Sequence, residues 1–234
     1  MNSSENFQSL ELVMKKFLLL PLALAFASNA AMAANSVDLR VTGTITPAAC
    51  DISLTGGDFD LGAISGKDLS ATKTTVFPEM TGKTLSIACS GATQVAFKAI
   101  DNRETSTPSS LPFQGTLFGL GTDSQGAPIG AYQLRVYQPS ILVDGSTGYI
   151  KTKVDGAGYW GSYGYPSVHL NSYNVSPTLY ALDAGPVGGG AQPLPMTNAS
   201  AGLKMVAAIQ PENTLDTSTD ITIDGSATFE LVYL

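Results

Sequence analysis

The sequence predicts an all-β fold, a sandwich or a barrel, and three observations support it. First, 44% of the residues are hydrophobic and only 13% are charged, which supplies enough apolar side chains for a core. Second, 24 glycines and 13 prolines interrupt the chain too often for long helices. Third, short segments that alternate apolar and polar residues recur between turn-forming stretches, and many short strands with frequent turns are typical of sandwiches and barrels.

The alternating segments are the predicted strands. The first, residues 37 to 46, reads VDLRVTGTIT. Its period of two places on one face Val37, Leu39, Val41, Gly43 and Ile45. The opposite face carries one aspartate, one arginine and three threonines. Further strands are predicted at 51–54, 83–89, 95–100, 131–137, 203–209 and 226–233.

The region from 149 to 198 is less regular, with Trp160, six tyrosines and a glycine-rich stretch from 185 to 190. We interpret it as an elaborated insertion whose aromatic side chains cover the sandwich. The alternative is a second domain or a sugar-binding surface, since aromatic rings offer flat faces.

Residues 14 to 33 predict a cleavable secretion signal. They read MKKFLLLPLALAFASNAAMA, with two lysines, an apolar run, and the small-x-small site Ala31-Met32-Ala33. The apolar run is about 11 residues long, whereas a membrane span needs about 20. Residues 1 to 13 are acidic where such a signal is basic, so we interpret Met14 as the true start of translation. We therefore expect the mature chain to be exported.

Two cysteines, Cys50 and Cys89, remain after the predicted cleavage. An even number of cysteines in an exported chain predicts a disulfide rather than a reactive thiol. We expect this disulfide to join the first strand of the sandwich to the strand predicted at 83–89.

The sequence favours a protein that is not an enzyme and has no cofactor. His169 is the only histidine, so a catalytic triad or a histidine-containing metal site would depend on that residue alone. Residues 156 to 161 match G-x-G-x-x-G, but they lie among turn signals with no following helix. Asp216 and Asp220 could bind calcium, yet a solvated turn explains them better. The net charge of −7 gives no reason to expect a nucleic-acid partner.

The motifs together resemble those of chaperone-usher pilus subunits. Residues 37 to 50 read VDLRVTGTITPAAC, with a glycine seven residues before the first cysteine. FDLGAIS at 59–65, SIACS at 86–90 and ATFELVYL at 227–234, with tyrosine in the penultimate place, follow in the order typical of that family. Many pilins have a glycine about fourteen residues from the C-terminus, where Ile221 stands here and Gly225 is the nearest glycine. We therefore assign the chain to a divergent branch.

The resemblance implies an immunoglobulin-like sandwich over residues 48 to 234 that lacks its last strand, preceded by a donor strand within residues 34 to 47. The apolar face of residues 37 to 45 would fill the groove of a neighbouring subunit. Phe229, Leu231 and Tyr233 would line the edge of the groove that a periplasmic chaperone covers. The implied partners are this chaperone, an outer-membrane usher and neighbouring pilus subunits, and the implied location is a fimbrium at the cell surface.

Three alternatives stay open at this point. Residues 37 to 46 could pair within their own domain as an ordinary first strand. The chain could be a single-domain adhesive or minor tip subunit that binds a host glycan. It could also be a periplasmic relative that kept the fold and does not polymerise.

Overall fold

The computed structural model of the protein describes residues 38–44, 48–162, 164–185, 187–188 and 190–234. The chain divides into two units, Met1–Thr46 and Pro47–Leu234. The predicted leader and secretion signal, residues 1 to 33, lie outside the described residues.

The second unit is an all-β sandwich of two antiparallel sheets, as the sequence predicts. The larger sheet has the strand order β1-β3-β12-β6-β10, with β2 beside β12 and with β5 and β7 beside β6. The smaller sheet has the order β13-β4-β11-β8-β9. The strands are β1 (Cys50–Thr55), β2 (Thr75–Val76), β3 (Met80–Thr93), β4 (Val95–Asp101), β5 (Phe118–Gly119), β6 (Gly130–Val143), β7 (Ser146–Thr147), β8 (Tyr149–Val154), β9 (Gly161–Ser162), β10 (Ser167–His169), β11 (Thr178–Asp183), β12 (Met196–Ile209) and β13 (Ala227–Tyr233).

The core lies between the sheets and follows the alternation seen in the sequence. In β3 the side chains of Leu85, Ile87 and Cys89 are buried, and β12 buries every second residue from Leu203 to Ile209. Each large apolar side chain buried in this way contributes about 1.5 to 3 kcal/mol. The predicted inward faces of these two strands are therefore confirmed.

Aromatic contacts within the smaller sheet extend this core. The Phe97 ring in β4 stacks on Tyr180 in β11 with 5.6 Å between centroids. The same ring meets Phe229 in β13 edge to face at 6.1 Å. Both geometries are favourable for aromatic pairs, so β13 is joined to the core through its side chains as well as its backbone.

The region from 149 to 198, interpreted from the sequence as an elaborated insertion, forms part of both sheets. It supplies β8, β9 and β11 of the smaller sheet and β10 of the larger one. One part of that interpretation agrees with the structure, because Trp160 packs with Leu179 and Ala181 over the outer face of the smaller sheet.

Short 3-10 helices connect some of the strands, at Gly66–Asp68, Glu104–Ser106, Gln114–Thr116 and Glu212–Thr214. Within the described ranges, no helix has the length and apolar character needed to cross a membrane.

Candidate functional site: the open side between β1 and β13

The two lateral sides of the sandwich differ in how the edge strands of the two sheets are connected. On one side β9 ends the smaller sheet and β10 ends the larger sheet. Only residues 163 to 166 connect these strands, so the chain passes directly from one sheet to the other there. On the opposite side the sheets end in β13 and β1, which are 171 residues apart in sequence, from Thr55 to Ala227 excluding both ends. We call this second side, with its two edge strands, the open side.

The free edge of β13 is defined by its register with β4. The Leu234 amide donates to the Gln94 carbonyl, and the Asn102 amide donates to the Ser226 carbonyl. Because hydrogen-bonded pairs alternate along an antiparallel ladder, even-numbered residues of β13 bond to β4. The backbone groups that point away from β4 therefore belong to Ala227, Phe229, Leu231 and Tyr233.

The free edge of β1 follows from the same reasoning. The Ser90 amide donates to the Ala49 carbonyl, so the odd-numbered residues of β1 bond to β3. The backbone groups of Cys50, Ile52 and Leu54 point away from β3. In the part of the chain that the structure describes, no strand pairs with either free edge. The open side thus offers two unpaired ladders to a further strand.

The predicted disulfide is present and lies at one end of the open side. Cys50 and Cys89 are joined, with 3.9 Å between their Cα atoms, and they face each other in the register of β1 and β3. They form a non-hydrogen-bonded pair, the kind in which side chains lie closest. The disulfide therefore fixes the start of β1 to β3 without using the free edge.

Apolar side chains along the open side touch the core but stay partly exposed. Phe229 and Leu231 in β13 point inward, as the sequence predicts, and Ile52 does so in β1. The segment that follows β1 and the segment that precedes β13 also pack partly buried apolar side chains against the core. These are Phe59, Leu61, Ile64, Leu215, Ile221 and Ile223. The open side is therefore an incompletely covered part of the hydrophobic core.

The apolar residues of these two flanking segments contribute to the core but were not predicted to do so. Their signal is present in the sequence as short alternation, in Phe59 and Leu61 and again in Ile221 and Ile223. Ile221, which stands where many pilins have glycine, packs against the core and is partly buried. This departure from the pilin pattern therefore adds an apolar side chain to the core.

Tyr233 behaves differently from the two apolar residues that it alternates with. Its side chain is 54% exposed, and its hydroxyl accepts a hydrogen bond of 2.8 Å from the Cys50 amide. The phenol therefore links the free edge of β13 to the free edge of β1. Tyr233 thus lies on the same face of β13 as Phe229 and Leu231, but it is more than half exposed.

The outer face of β13 carries a charged residue that pairs with a residue of the neighbouring strand. Lys98 in β4 forms an ion pair of 3.1 Å with Glu230 and lies 4.7 Å from the centroid of the Tyr173 ring. The Tyr173 hydroxyl donates to Asp155, a hydrogen bond that lowers the pKa of Asp155 and raises the pKa of Tyr173. These polar contacts leave the inward face of β13 to the apolar side chains.

The predicted donor segment is described from residue 38 to residue 44. These residues belong to no strand, and Leu39 and Val41 are each 89% exposed. A Cβ atom built on Gly43 would meet nothing within 4 Å. The two ends of the predicted apolar face, Val37 and Ile45, lie outside the described residues.

The candidate residues for catalysis or metal binding lie in different parts of the sandwich. His169 is in β10 opposite Arg135, and burial together with the Arg135 charge lowers its pKa. Asp216 accepts hydrogen bonds from Ser218 and Ser124, which lower its pKa to about 2. In the described ranges, no three His, Cys, Asp or Glu side chains are grouped closely enough to hold a metal ion.

The tryptophan of the aromatic region does not present an exposed ring to a sugar. Trp160 is 1% exposed, and its indole NH donates to the Gln192 side chain at 3.0 Å. Its ring therefore packs against protein rather than solvent. Tyr159 and Tyr165 are exposed, while Tyr163 lies outside the described residues.

Comparison of the sequence with known proteins finds a family match and a similar protein. Residues 39–133 match a family described as "Protein of unknown function (DUF1120)". The chain is 27% identical over 241 residues to "Protein GltF" of Escherichia coli (strain K12), and the match covers 91% of this chain and 94% of that protein. No solved structure matches the chain. The chain is thus similar to GltF over nearly its whole length, and the family match includes both cysteines and the β1 edge of the open side.

Proposed function

We propose that the protein is an exported structural subunit of a bacterial pilus, and that a donor strand from a neighbouring copy completes its sandwich. The observation that carries this proposal is the open side. It combines two unpaired strand edges with a row of core side chains that stay partly exposed. An extended strand added at such an edge gains main-chain hydrogen bonds, and its alternate side chains fill the pockets between the sheets.

Residues 37 to 46 have the length and pattern that this place requires. Ten residues of strand span roughly 33 Å, whereas the seven residues of β13 span roughly 23 Å. One face of the segment is apolar, and Leu39 and Val41 on that face are exposed. Full burial of each such side chain is worth about 1.5 to 3 kcal/mol. The opposite face, with Arg40 and Thr42, would stay in solvent.

Gly43 supports the same assignment. The φ angle of Gly43 is not positive, and open space surrounds its Cβ position. The surroundings of Gly43 within its own chain therefore do not require a glycine. We infer that glycine serves the acceptor subunit, which would leave no room for a side chain at that position.

An exposed apolar edge invites uncontrolled pairing with other chains. We therefore propose that a periplasmic chaperone covers β13 before assembly, that an outer-membrane usher receives the subunit, and that the assembled protein lies at the cell surface. In this proposal the protein performs no reaction and needs no cofactor, because its work is to bind copies of itself.

The test compares the full chain with two variants that differ in which face of the donor segment they change. Gly43→Leu should overfill the acceptor at one point, at a cost of about 1 to 3 kcal/mol, and should leave the protein monomeric. Thr42→Leu changes the solvated face and should assemble like the wild type. The mass of the assemblies is measured by size-exclusion chromatography with light scattering.

Two other outcomes would contradict the proposal. If all three proteins assemble alike, the segment does not enter an acceptor with the predicted face. If the wild type stays monomeric at every concentration, with no chaperone bound, the protein is a periplasmic relative that kept the fold and does not polymerise.

A further inference from the structure

The incoming strand needs something that fixes its register. A slip by one residue would turn its apolar face to solvent, so the alternation itself prevents that error. A slip by two residues keeps the apolar face inward. A shift in one direction puts Leu39 in the place of Val41 and Val41 in the place of Gly43. The opposite shift puts Ile45 in the place of Gly43. The displaced glycine disfavours such a slip at one point, whereas the alternation of residues 37 to 45 does not oppose it.

The end of the open side near Cys50 carries a feature that can make this selection. The Cys50 amide points toward the free edge of β1, where it would serve as a ladder donor to an added strand. It already donates to the Tyr233 hydroxyl at 2.8 Å. Tyr233 is the last residue of β13, so its phenol reaches from the end of one free edge to the start of the other.

We propose that Tyr233 sets the register of the incoming strand by acting as an end-stop. This inference rests on the proposed function of the open side. With the Cys50 amide occupied, the free amides left on β1 are those of Ile52 and Leu54, and those left on β13 beyond the phenol are Ala227, Phe229 and Leu231. A strand that slips by two residues toward Cys50 must first displace the hydroxyl from the Cys50 amide. Tyr233 is therefore a specificity-determining residue of the acceptor.

The experiment follows amide hydrogen exchange by NMR in the full chain labelled with ¹⁵N and carrying Gly43→Leu, the variant expected to stay monomeric with its open side unfilled. Exchange is measured with and without an excess of an unlabelled peptide of residues 35 to 47 of wild-type sequence. In this reference chain the Cys50 amide should exchange slowly without peptide. The Ile52 and Leu54 amides should slow when the peptide binds, by about tenfold or more if each gains one hydrogen bond.

Tyr233→Phe, added to the reference chain, removes only the hydroxyl. Its Cys50 amide should exchange fast without peptide and should become protected when the peptide is added, because the strand can now reach that level. The matched control is Tyr173→Phe, which also loses a hydroxyl hydrogen bond but on the outer face of the smaller sheet. This control should retain the exchange pattern of the reference chain at Cys50.

The outcomes separate the two proposals. If the peptide protects Ile52 and Leu54 but Tyr233→Phe leaves the Cys50 exchange unchanged in both states, the open side accepts a strand and Tyr233 is not an end-stop. If the peptide protects no amide of β1 or β13 in the monomeric reference chain, the proposed function is overturned and the inference with it.

Discussion

At the scale of single residues, the ion pair between Lys151 and Asp183 is buried and bears on stability. Their side chains are 4% and 0% exposed. The Lys151 ammonium also donates to the carbonyls of Ala191 and Gln192 at 3.4 and 3.3 Å, and Asp183 accepts from the Gly185 amide at 2.9 Å. The pair therefore holds the glycine-rich segment that follows β11 against the smaller sheet.

We predict that Lys151→Met destabilises the protein by about 3 to 5 kcal/mol, because it leaves a buried carboxylate without its partner. Urea unfolding measures the free energy of unfolding. The control is Lys153→Met, two residues further along the same face of β8, where the lysine is only partly buried. Equal losses in the two variants would show that the buried pair has no special role.

Asp216 predicts a local dependence on pH. Hydrogen bonds from Ser218 and Ser124 lower its pKa from 3.8 to about 2, so these bonds favour the ionised carboxylate. Their contribution to stability is complete above pH 3.8 and is lost as the pH falls through about 2. An NMR titration of the Asp216 carboxyl should show this midpoint, and Ser218→Ala should raise it. An ordinary midpoint in the wild type would contradict the hydrogen-bonded arrangement.

At the scale of elements, β13 has two chemically different edges. At one edge, the backbone groups of the even-numbered residues bond to β4. At the other edge, the backbone groups of the odd-numbered residues have no strand of the described chain beside them. Proline removes one amide donor and is tolerated only where that donor is not used in a sheet. Neighbouring positions of β13 should therefore respond to proline in opposite ways.

We predict that Ala227→Pro leaves the sandwich folded but weakens the binding of any strand to the open side, because it removes an amide from the free edge. Thr228→Pro should instead destabilise the sandwich, because it removes an amide that bonds to β4. Thermal unfolding and the binding of the peptide of residues 35 to 47 are measured for both variants. The register would be misassigned if Ala227→Pro unfolds the protein and Thr228→Pro does not.

The strands that could be predicted from the sequence are those with one face in the core and one in solvent. β3, β12 and β13 alternate for this reason, and the alternation alone identifies their inward faces. β11 could not be predicted, because all six of its residues are buried and a strand covered on both faces has no period of two. β8 lies beside it and buries the adjacent residues Ile150 and Lys151, so its burial has no period of two either. These two strands explain why the region from 149 to 198 resembles an insertion at the level of sequence.

At the scale of the whole molecule, the open side brings together the first and last strands of the sandwich. The sequence indicates each strand separately, through the motif at Cys50 and the alternation at the C-terminus. It does not show that the two strands end neighbouring sheets, since strand order depends on pairings between distant segments. The bond between Tyr233 and Cys50, 183 residues apart, lay beyond sequence reasoning for the same reason.

We predict that the double variant Cys50→Ser and Cys89→Ser loses about 2 to 5 kcal/mol of unfolding free energy, as is typical when a native disulfide is removed. β1 should be affected most, because it is an edge strand whose residues are mostly exposed. Urea unfolding gives the free energy, and amide exchange of Ile52 locates the change. An unaltered free energy would mean that the pairing of β1 with β3 suffices without the disulfide.

The position of the disulfide also determines how mechanical tension would pass through the protein. A pull on the chain before Cys50 would otherwise peel β1 from its single neighbour, one hydrogen bond at a time. The bridge instead transfers the load to Cys89, which lies in a strand paired on both sides, with β1 and β12. Such a strand resists in shear rather than by unzipping. Reduction should therefore lower the rupture force in single-molecule pulling from the N-terminal segment.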